Sequence, residues 1–429
     1  MKRPRGRPLT SFIAESAAAL SGPDWLRDRR MAAFDEWARA AKPTTSDEIW
    51  RYSRVDELDL DRWAPLSDSS TTVEVPDAVR PLVDDLGDPE EIVVVHHGRI
   101  SHHAVHGQDT LIGPVPDAGA LGHVADAVDD AFLHLHDAFL VEPLQITIPA
   151  RRVVEAPVVA VLWADAEGSA TFPRLVIDAG DHAQATVVVM VASADVDALV
   201  VPVVEIRSAT GAHLTVITIQ TLGQKVWQLG RLAADVGRDS RVELATVALG
   251  GSYARLRSDT KLRELGGEVS LSAAYFGDRD QMHDFRTLQD HAAGRTSSDL
   301  LFKGAVDDEA AAVYSGLIRI RPGASGASAH QTNRTLTLSD KSWAESVPNL
   351  EILHDDVQCS HASAVGPIDE DQRFYLESRG IPPEAAEQLV ITGFFEEVLT
   401  RLPADRLRAR LLADLQAKFR HTSAQGEAR

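Results

Sequence analysis

The stretch Ala183-Gln184-Ala185-Thr186-Val187 recurs in pattern as Ala212-His213-Leu214-Thr215-Val216. It appears again as Ser240-Arg241-Val242-Glu243-Leu244 and as Gly267-Glu268-Val269-Ser270-Leu271. The starts lie 29, 28 and 27 residues apart, and a glycine precedes or opens most copies (Gly180, Gly211, Gly237, Gly266). A small residue followed by polar, apolar, polar, apolar positions at a near-fixed period is what a stacked β-solenoid needs. Each rung turns at glycine and lays its strands onto the neighbouring rungs, burying one face between sheets. An antiparallel sandwich would show strands as often but has less reason to keep the period. The repeat therefore predicts a mainly β chain built on a solenoid, or β-helix.

Outward from this core the pattern changes on both sides. Apolar alternation and β-branched residues begin at Leu144-Gln145-Ile146-Thr147-Ile148. The first 143 residues read as largely helical, with Leu26, Met31, Phe34 and Trp37 near helical spacing and a second stripe over Val128, Phe132, Leu135 and Phe139. Pro43 to Glu48 reads as a break followed by a new helix start, and Glu91 to Ile100 as strand, turn, strand. After Pro382-Pro383-Glu384 the chain reverts to helix, with an apolar stripe of Ala386, Leu389, Val390, Phe394 and Val398. A break at Pro403 precedes a last helix carrying Leu407, Leu411, Leu412, Leu415 and Phe419, with basic residues from Arg406 to Arg420 read as a solvated face. The expected organisation is a mainly helical N-terminal domain with a short β-hairpin (1–143), a β-helix core (144–366) and a C-terminal helical domain (367–429).

Composition limits the function. A chain of 429 residues, 44% hydrophobic and 25% charged, reads as a soluble protein of two or three domains. No apolar run approaches the roughly 20 residues that span a bilayer. The basic start, Met1 to Pro8, lacks the apolar segment of a signal peptide and reads as a frayed tail. A single cysteine excludes an internal disulfide framework and favours a reducing, cytoplasmic setting. The net charge of −21 disfavours nucleic acid and anionic membrane as partners. No P-loop is present, so the chain offers no basis for binding or hydrolysing nucleotide. The histidines His96, His97, His102, His103 and His106 have no interleaved carboxylate or cysteine and read as a solvated hairpin rather than a metal site.

The one cysteine lies in His354-Asp355-Asp356-Val357-Gln358-Cys359-Ser360-His361, ahead of Gly366-Pro367. On an extended backbone Asp355, Val357, Cys359 and His361 share a face, with thiol and imidazole roughly 7 Å apart along the strand. Thiolate and imidazole together suit iron–sulfur chemistry, Zn or Cu(I), but two ligands do not close a tetrahedral site. A buried structural cysteine beside a hydrogen-bonded histidine fits the same spacing. Asp355 and Asp356 are adjacent and point to opposite faces, which argues against the paired carboxylates of a carbohydrate-active β-helix enzyme.

The block from Ser339 to Leu402 resembles the SufB/SufD family of iron–sulfur cluster assembly proteins. The resemblance rests on Pro348-Asn349-Leu350-Glu351-Ile352, on Asp355 to Ala362 with Val365-Gly366, and on Phe374-Tyr375-Leu376-Glu377-Ser378-Arg379-Gly380-Ile381. Weaker similarity extends through His330-Gln331-Thr332-Asn333 and Phe172-Pro173-Arg174 to Glu48-Ile49-Trp50-Arg51-Tyr52. The resemblance implies a right-handed β-helix between helical terminal domains. The absence of every cysteine but Cys359 is similar to the SufD type of subunit rather than the SufB type. That type is implied to be non-catalytic, to pair with SufB through the β-helix and to dock the SufC ATPase on its C-terminal helices. His361, with Cys359 as a second participant, is implied to face a transient iron–sulfur cluster shared with SufB. A stand-alone SufB-like homodimeric scaffold, bringing two Cys359 and two His361 together, is the alternative.

Overall fold

Inter-strand register follows the sequence period. Gln184 pairs with His213, His213 with Arg241 and Arg241 with Glu268, so the four sequence repeats are successive rungs aligned residue for residue. The series continues through Ser297, Ser328 and Gln358, three coils beyond the copies legible in the sequence. The computed structural model describes residues 11–66, 73–107, 109–122, 124–125, 130–402 and 405–426. The basic tail, Val128 and Pro403 lie outside them.

In chain order the strands begin with β1 (Ala64–Pro65), β2 (Glu91–His96), β3 (Arg99–Val105), β4 (Leu111–Pro114), β5 (Leu144–Ile148), β6 (Val158–Ala164), β7 (Ser169–Thr171) and β8 (Arg174–Ala179). There follow β9 (Gln184–Ser193), β10 (Ala198–Val200), β11 (Val203–Ser208), β12 (His213–Thr221), β13 (Trp227–Val236), β14 (Arg241–Ala248) and β15 (Tyr253–Leu262). The last coils hold β16 (Glu268–Gly277), β17 (Met282–His291), β18 (Ser297–Val306), β19 (Ala311–Ile320), β20 (Ala327–Thr337), β21 (Trp343–Ile352) and β22 (Val357–Gly366). They stack into a solenoid of about eight coils with two long sheets. One sheet runs β21-β19-β17-β15-β13-β11-β8-β5-β4, and the other β22-β20-β18-β16-β14-β12-β9-β6-β2-β3. Neighbours from β5 and β2 onward are parallel, while β2–β3 and β4–β5 are antiparallel. The hairpin read from Glu91 to Ile100 is thus the closing edge of a solenoid sheet rather than an isolated feature.

Over the middle coils both faces of the sheets are covered, which is why those strands read as near-continuous apolar runs. In β9, Val187, Val189 and Val191 face the solenoid interior while Val188, Met190 and Ala192 pack outward. The helices are α1 (Ala14–Ala19), α2 (Asp24–Arg39), α3 (Arg80–Asp84), α4 (Ala131–Ala138), α5 (Glu370–Ser378), α6 (Pro383–Leu399) and α7 (Asp405–Gly426). N-terminal residues Phe12, Trp50, Trp63 and Phe139 cover one sheet, and α6 and α7 cover the other through Ile391, Phe395, Leu411 and Leu415. The helix start expected near Glu48 proves to be a 3-10 turn (Glu48–Trp50), and the N-terminal segment holds more irregular chain than its stripes suggested. The α6 stripe is also rotated: Leu389 is exposed, while Ile391, Phe395 and Leu399 are buried.

The coil-to-coil turn explains the glycines. The residue two before Val153, which bridges to Gln184, and before each of the six aligned positions from Gln184 to Ser328 has positive φ: Arg151, His182, Gly211, Asp239, Gly266, Arg295 and Gly326. Glycine adopts this conformation without the strain a side chain brings, which favours it at Gly211, Gly266 and Gly326. Gly180 and Gly237 do not adopt it; there a Cβ would meet Ala150 N at 2.7 Å and Ser208 O at 2.5 Å, so they serve close approach of successive coils.

Candidate functional site

Cys359 and His361 lie on β22, whose only pairing among the described residues is with β20. Val357 and Cys359 point inward against Ile318, Ala327 and Ala329. By strand alternation His361 follows them on the same side, opposite Gln331 in register. Cys359 is half-buried and His361 exposed. Burial pushes the Cys359 thiol above its ordinary pKa, which disfavours thiolate unless a cation compensates. Asp355 leaves this face: it lies in the bend before the strand. Asp356 is spent on the turn, where its carboxylate accepts from Ser325 Oγ at 2.7 Å and its carbonyl from the Gly326 amide at 2.7 Å.

The interior near this end is polar, in contrast with the valine-lined middle. Gln289 donates to Ser298 Oγ at 2.7 Å, and both ring nitrogens of His291 lie 2.8 Å from hydroxyls of Thr296 and Ser298. Asn333 donates to Ser346 Oγ at 3.0 Å, and Ser363 donates to the same oxygen at 2.6 Å. Gln331 is 1% exposed, yet neither amide atom has a hydrogen-bond partner. A buried amide left bare is costly. In the sequence Gln331 shows only as a polar residue four positions after Ala327, on the same side of the strand.

Among the described residues, no third histidine, cysteine or carboxylate joins Cys359 and His361 in a cluster. The two-ligand shortfall persists among the described residues. Among the described residues both sheets end nearby in strands with a free edge, β21 and β22. Trp343, Ile352, Leu353 and Val365 expose 43, 43, 54 and 42% of their surface there. Next to this end a groove of about 980 Å³ runs between the end of β22 and helices α5 and α6, lined by Arg334, Val365, Tyr375, Leu389 and Phe394. Phe374 and Tyr375 are exposed beside it.

Two expectations require correction. Two of the hairpin histidines are not solvated: His96 and His97 are 4% and 7% exposed, whereas His103 and His106 are exposed, and carboxylates meet the group. Asp165 reaches both rings, and Glu91 takes His103 at 2.6 Å. Burial chiefly, and His96 beside it, push His97 below the usual imidazole value. Burial works against ionised Asp165, but hydrogen bonds from His96 and Trp163 outweigh it and hold the carboxyl below its ordinary range. The basic face of α7 is not wholly solvated either. Lys418 Nζ is bound by Leu249 O at 2.6 Å, Gln281 Oε1 at 2.7 Å and Asp278 Oδ1 at 2.9 Å, and clamps the helix to the solenoid.

Comparison with known proteins agrees with this architecture. An iron–sulfur cluster assembly SufBD family protein of Mycobacterium leprae is 35% identical over 233 residues, 52% of this chain and 59% of that protein. A Mycobacterium tuberculosis protein of the same description is 36% identical over 219 residues, 49% of this chain and 55% of that protein. The matches thus span little more than half the length of these relatives. The iron–sulfur cluster assembly protein SufD of Bacillus subtilis is 27% identical over 424 residues, 93% of this chain and 95% of that protein. No helix of the described residues is long and apolar enough to cross a membrane. The family described as "SUF system FeS cluster assembly, SufBD core domain" matches residues 162–394. That is more than half of the chain, which therefore belongs to the SufBD family of iron–sulfur cluster assembly proteins.

Proposed function

We propose that this chain is a SufD-type, non-catalytic subunit of a cytoplasmic SUF complex, presenting His361, with Cys359 beside it, to a nascent iron–sulfur cluster. The observation that carries the reading is the placement of His361 on a terminal strand with a free edge, at a site the described residues leave short of ligands. A SufB-like subunit continues the sheets from β21 and β22 and supplies the missing ligands across the junction. Free edges with exposed apolar side chains are otherwise an aggregation hazard, which supports a partner there. The cluster is cargo, assembled and passed on. Imidazole near pH 7 offers a neutral nitrogen ligand, and Cys359 joins only as thiolate. Gln331, bare and opposite His361, orients the imidazole or a cluster sulfide by hydrogen bonding.

The C-terminal part, 367–429, is assigned to docking a SufC-like ATPase, and the groove beside Phe394 and Tyr375 supports this. In this reading, domain 1–143 caps and covers the 144–366 core. The test is co-expression with SufB-like and SufC-like subunits, comparing wild type with Ile352→Lys and Val365→Lys. Loss of the SufB-like subunit from a still folded complex with SufC supports the junction. Undiminished pairing in both variants refutes it. A homodimeric scaffold would instead load a full cluster on the isolated chain.

A further inference from the structure

The turn His97-Gly98 closes the β2–β3 hairpin at the opposite end of the sheet from β22, eight strand spacings or about 38 Å away. Its two loop residues have φ of 51° and 80°, the geometry of a two-residue hairpin turn that favours Asn-Gly. The sequence instead places an imidazole there, next to a second one. His96 Nε2 and His97 Nε2 each lie 2.8 Å from one atom, Asp165 Oδ1. The rings pack with centroids 3.8 Å apart. Both imidazoles are 5% exposed, whereas the Asp165 side chain is 37% exposed, so the cluster opens to solvent on the carboxylate side.

Asp165 Oδ2 accepts the indole N–H of Trp163 at 3.1 Å, which fixes the carboxylate plane. Nδ1 of neither histidine has a hydrogen-bond partner, so Oδ1 is what anchors both buried rings. Two imidazole nitrogens and one carboxylate oxygen, all within 4.8 Å of one another, form the donor set of a two-histidine, one-carboxylate centre. A tetrahedral ion at 2.0–2.1 Å from each ligand keeps donor atoms about 3.3 Å apart, so each imidazole nitrogen needs to move only about half an ångström from Oδ1. The indole bond to Oδ2 is the kind of outer contact that orients a metal-binding carboxylate.

We propose that His96, His97 and Asp165 bind one divalent ion of the zinc–iron class at the capped end of the solenoid, with a fourth position open to solvent. The site is separate from the Cys359–His361 end and does not depend on the function proposed for it.

The test is titration of the full-length, chelator-stripped chain with Zn²⁺ by calorimetry and with Co²⁺ by visible absorption. It compares wild type, Cys359→Ser/His361→Ala, His97→Asn and Asp165→Asn, with circular dichroism as the control for folding. His97→Asn introduces the residue type the turn prefers, so the hairpin is retained. One equivalent should bind in wild type and in Cys359→Ser/His361→Ala. Affinity should fall at least ~10-fold in each of His97→Asn and Asp165→Asn. Absence of saturable one-equivalent binding overturns the proposal, as does affinity within about threefold of wild type in either folded single variant.

Discussion

Asp284→Ala should destabilise the protein by about 3–5 kcal/mol and loosen the N-terminal segment from the solenoid. Asp284 is 0% exposed and accepts from Tyr253 Oη at 2.7 Å, Arg255 Nη1 at 2.6 Å and Arg286 Nε at 2.5 Å. Burial alone would raise its pKa, but Arg255 and Arg286 outweigh that and hold it ionised, below the ordinary range. Removing the carboxylate strands two guanidinium groups that are only 4% and 6% exposed. An exposed pair would be worth about 0–1 kcal/mol, so burial decides the magnitude. The same arginines hold the chain at Ile49 O (2.8 Å) and Arg51 O (2.7 Å), and Arg255 stacks over the Trp50 ring at 3.7 Å. Urea denaturation followed by tryptophan fluorescence measures the loss, and brief trypsin treatment reads the release of residues 48–57. Asp284→Ala/Arg255→Met should recover part of the stability, because it removes one of the stranded charges. A loss below about 1 kcal/mol with unchanged tryptic cleavage would refute the buried-charge argument.

Other outcomes follow from the same structure. Burial, then Lys418, pushes His283 down to about 3, and burial pushes His291 down to about 4. The unfolded chain therefore takes up protons that the folded chain refuses. Stability from these two groups is complete above pH ~6.5 and drains toward pH 4 at up to ~1.4 kcal/mol per pH unit per histidine. His283→Gln should flatten that slope in denaturant titrations at stepped pH, and an unchanged slope would contradict it. Gly211→Ala should cost at least ~1 kcal/mol, since φ is +67° and the new Cβ falls 2.4 Å from His182 Nδ1; calorimetric melting checks this, and a neutral result would sink the turn assignment. Cys359, its thiol pKa raised by burial, should alkylate more slowly than free cysteine at pH 7.5 and accelerate through pH 9. Alkylation as fast as free cysteine would show that a neighbouring cation lowers its pKa.

The solenoid was legible because stacking forces the same residue class into the same position of every coil. Gln184, His213, Arg241 and Glu268 share one column, so the period survives in the sequence. The turns were half legible: Gly211 and Gly266 announce positive φ, whereas His182, Asp239 and Arg295 adopt it under constraint from both flanking strands. The β22 motif was readable because alternation needs only a local backbone. Its setting was not: Gln331 on an inward column looks like an ordinary polar residue until the coil closes over it. The hairpin histidines were misread because Asp165 stands 69 positions from His96 and only the β2–β6 pairing brings them together. Lys418 likewise looks solvated on its helix, and only packing of α7 against the turn before β17 gives it partners.

The central claim is that His361, on the open end of the solenoid, belongs to the site where a cluster is built. Iron and acid-labile sulfide should be counted per complex after co-expression with SufB-like and SufC-like subunits, wild type against His361→Ala. The account predicts an assembled variant complex that has lost iron and sulfide together. An assembled complex with both unchanged would contradict it and leave this chain as an architectural partner only.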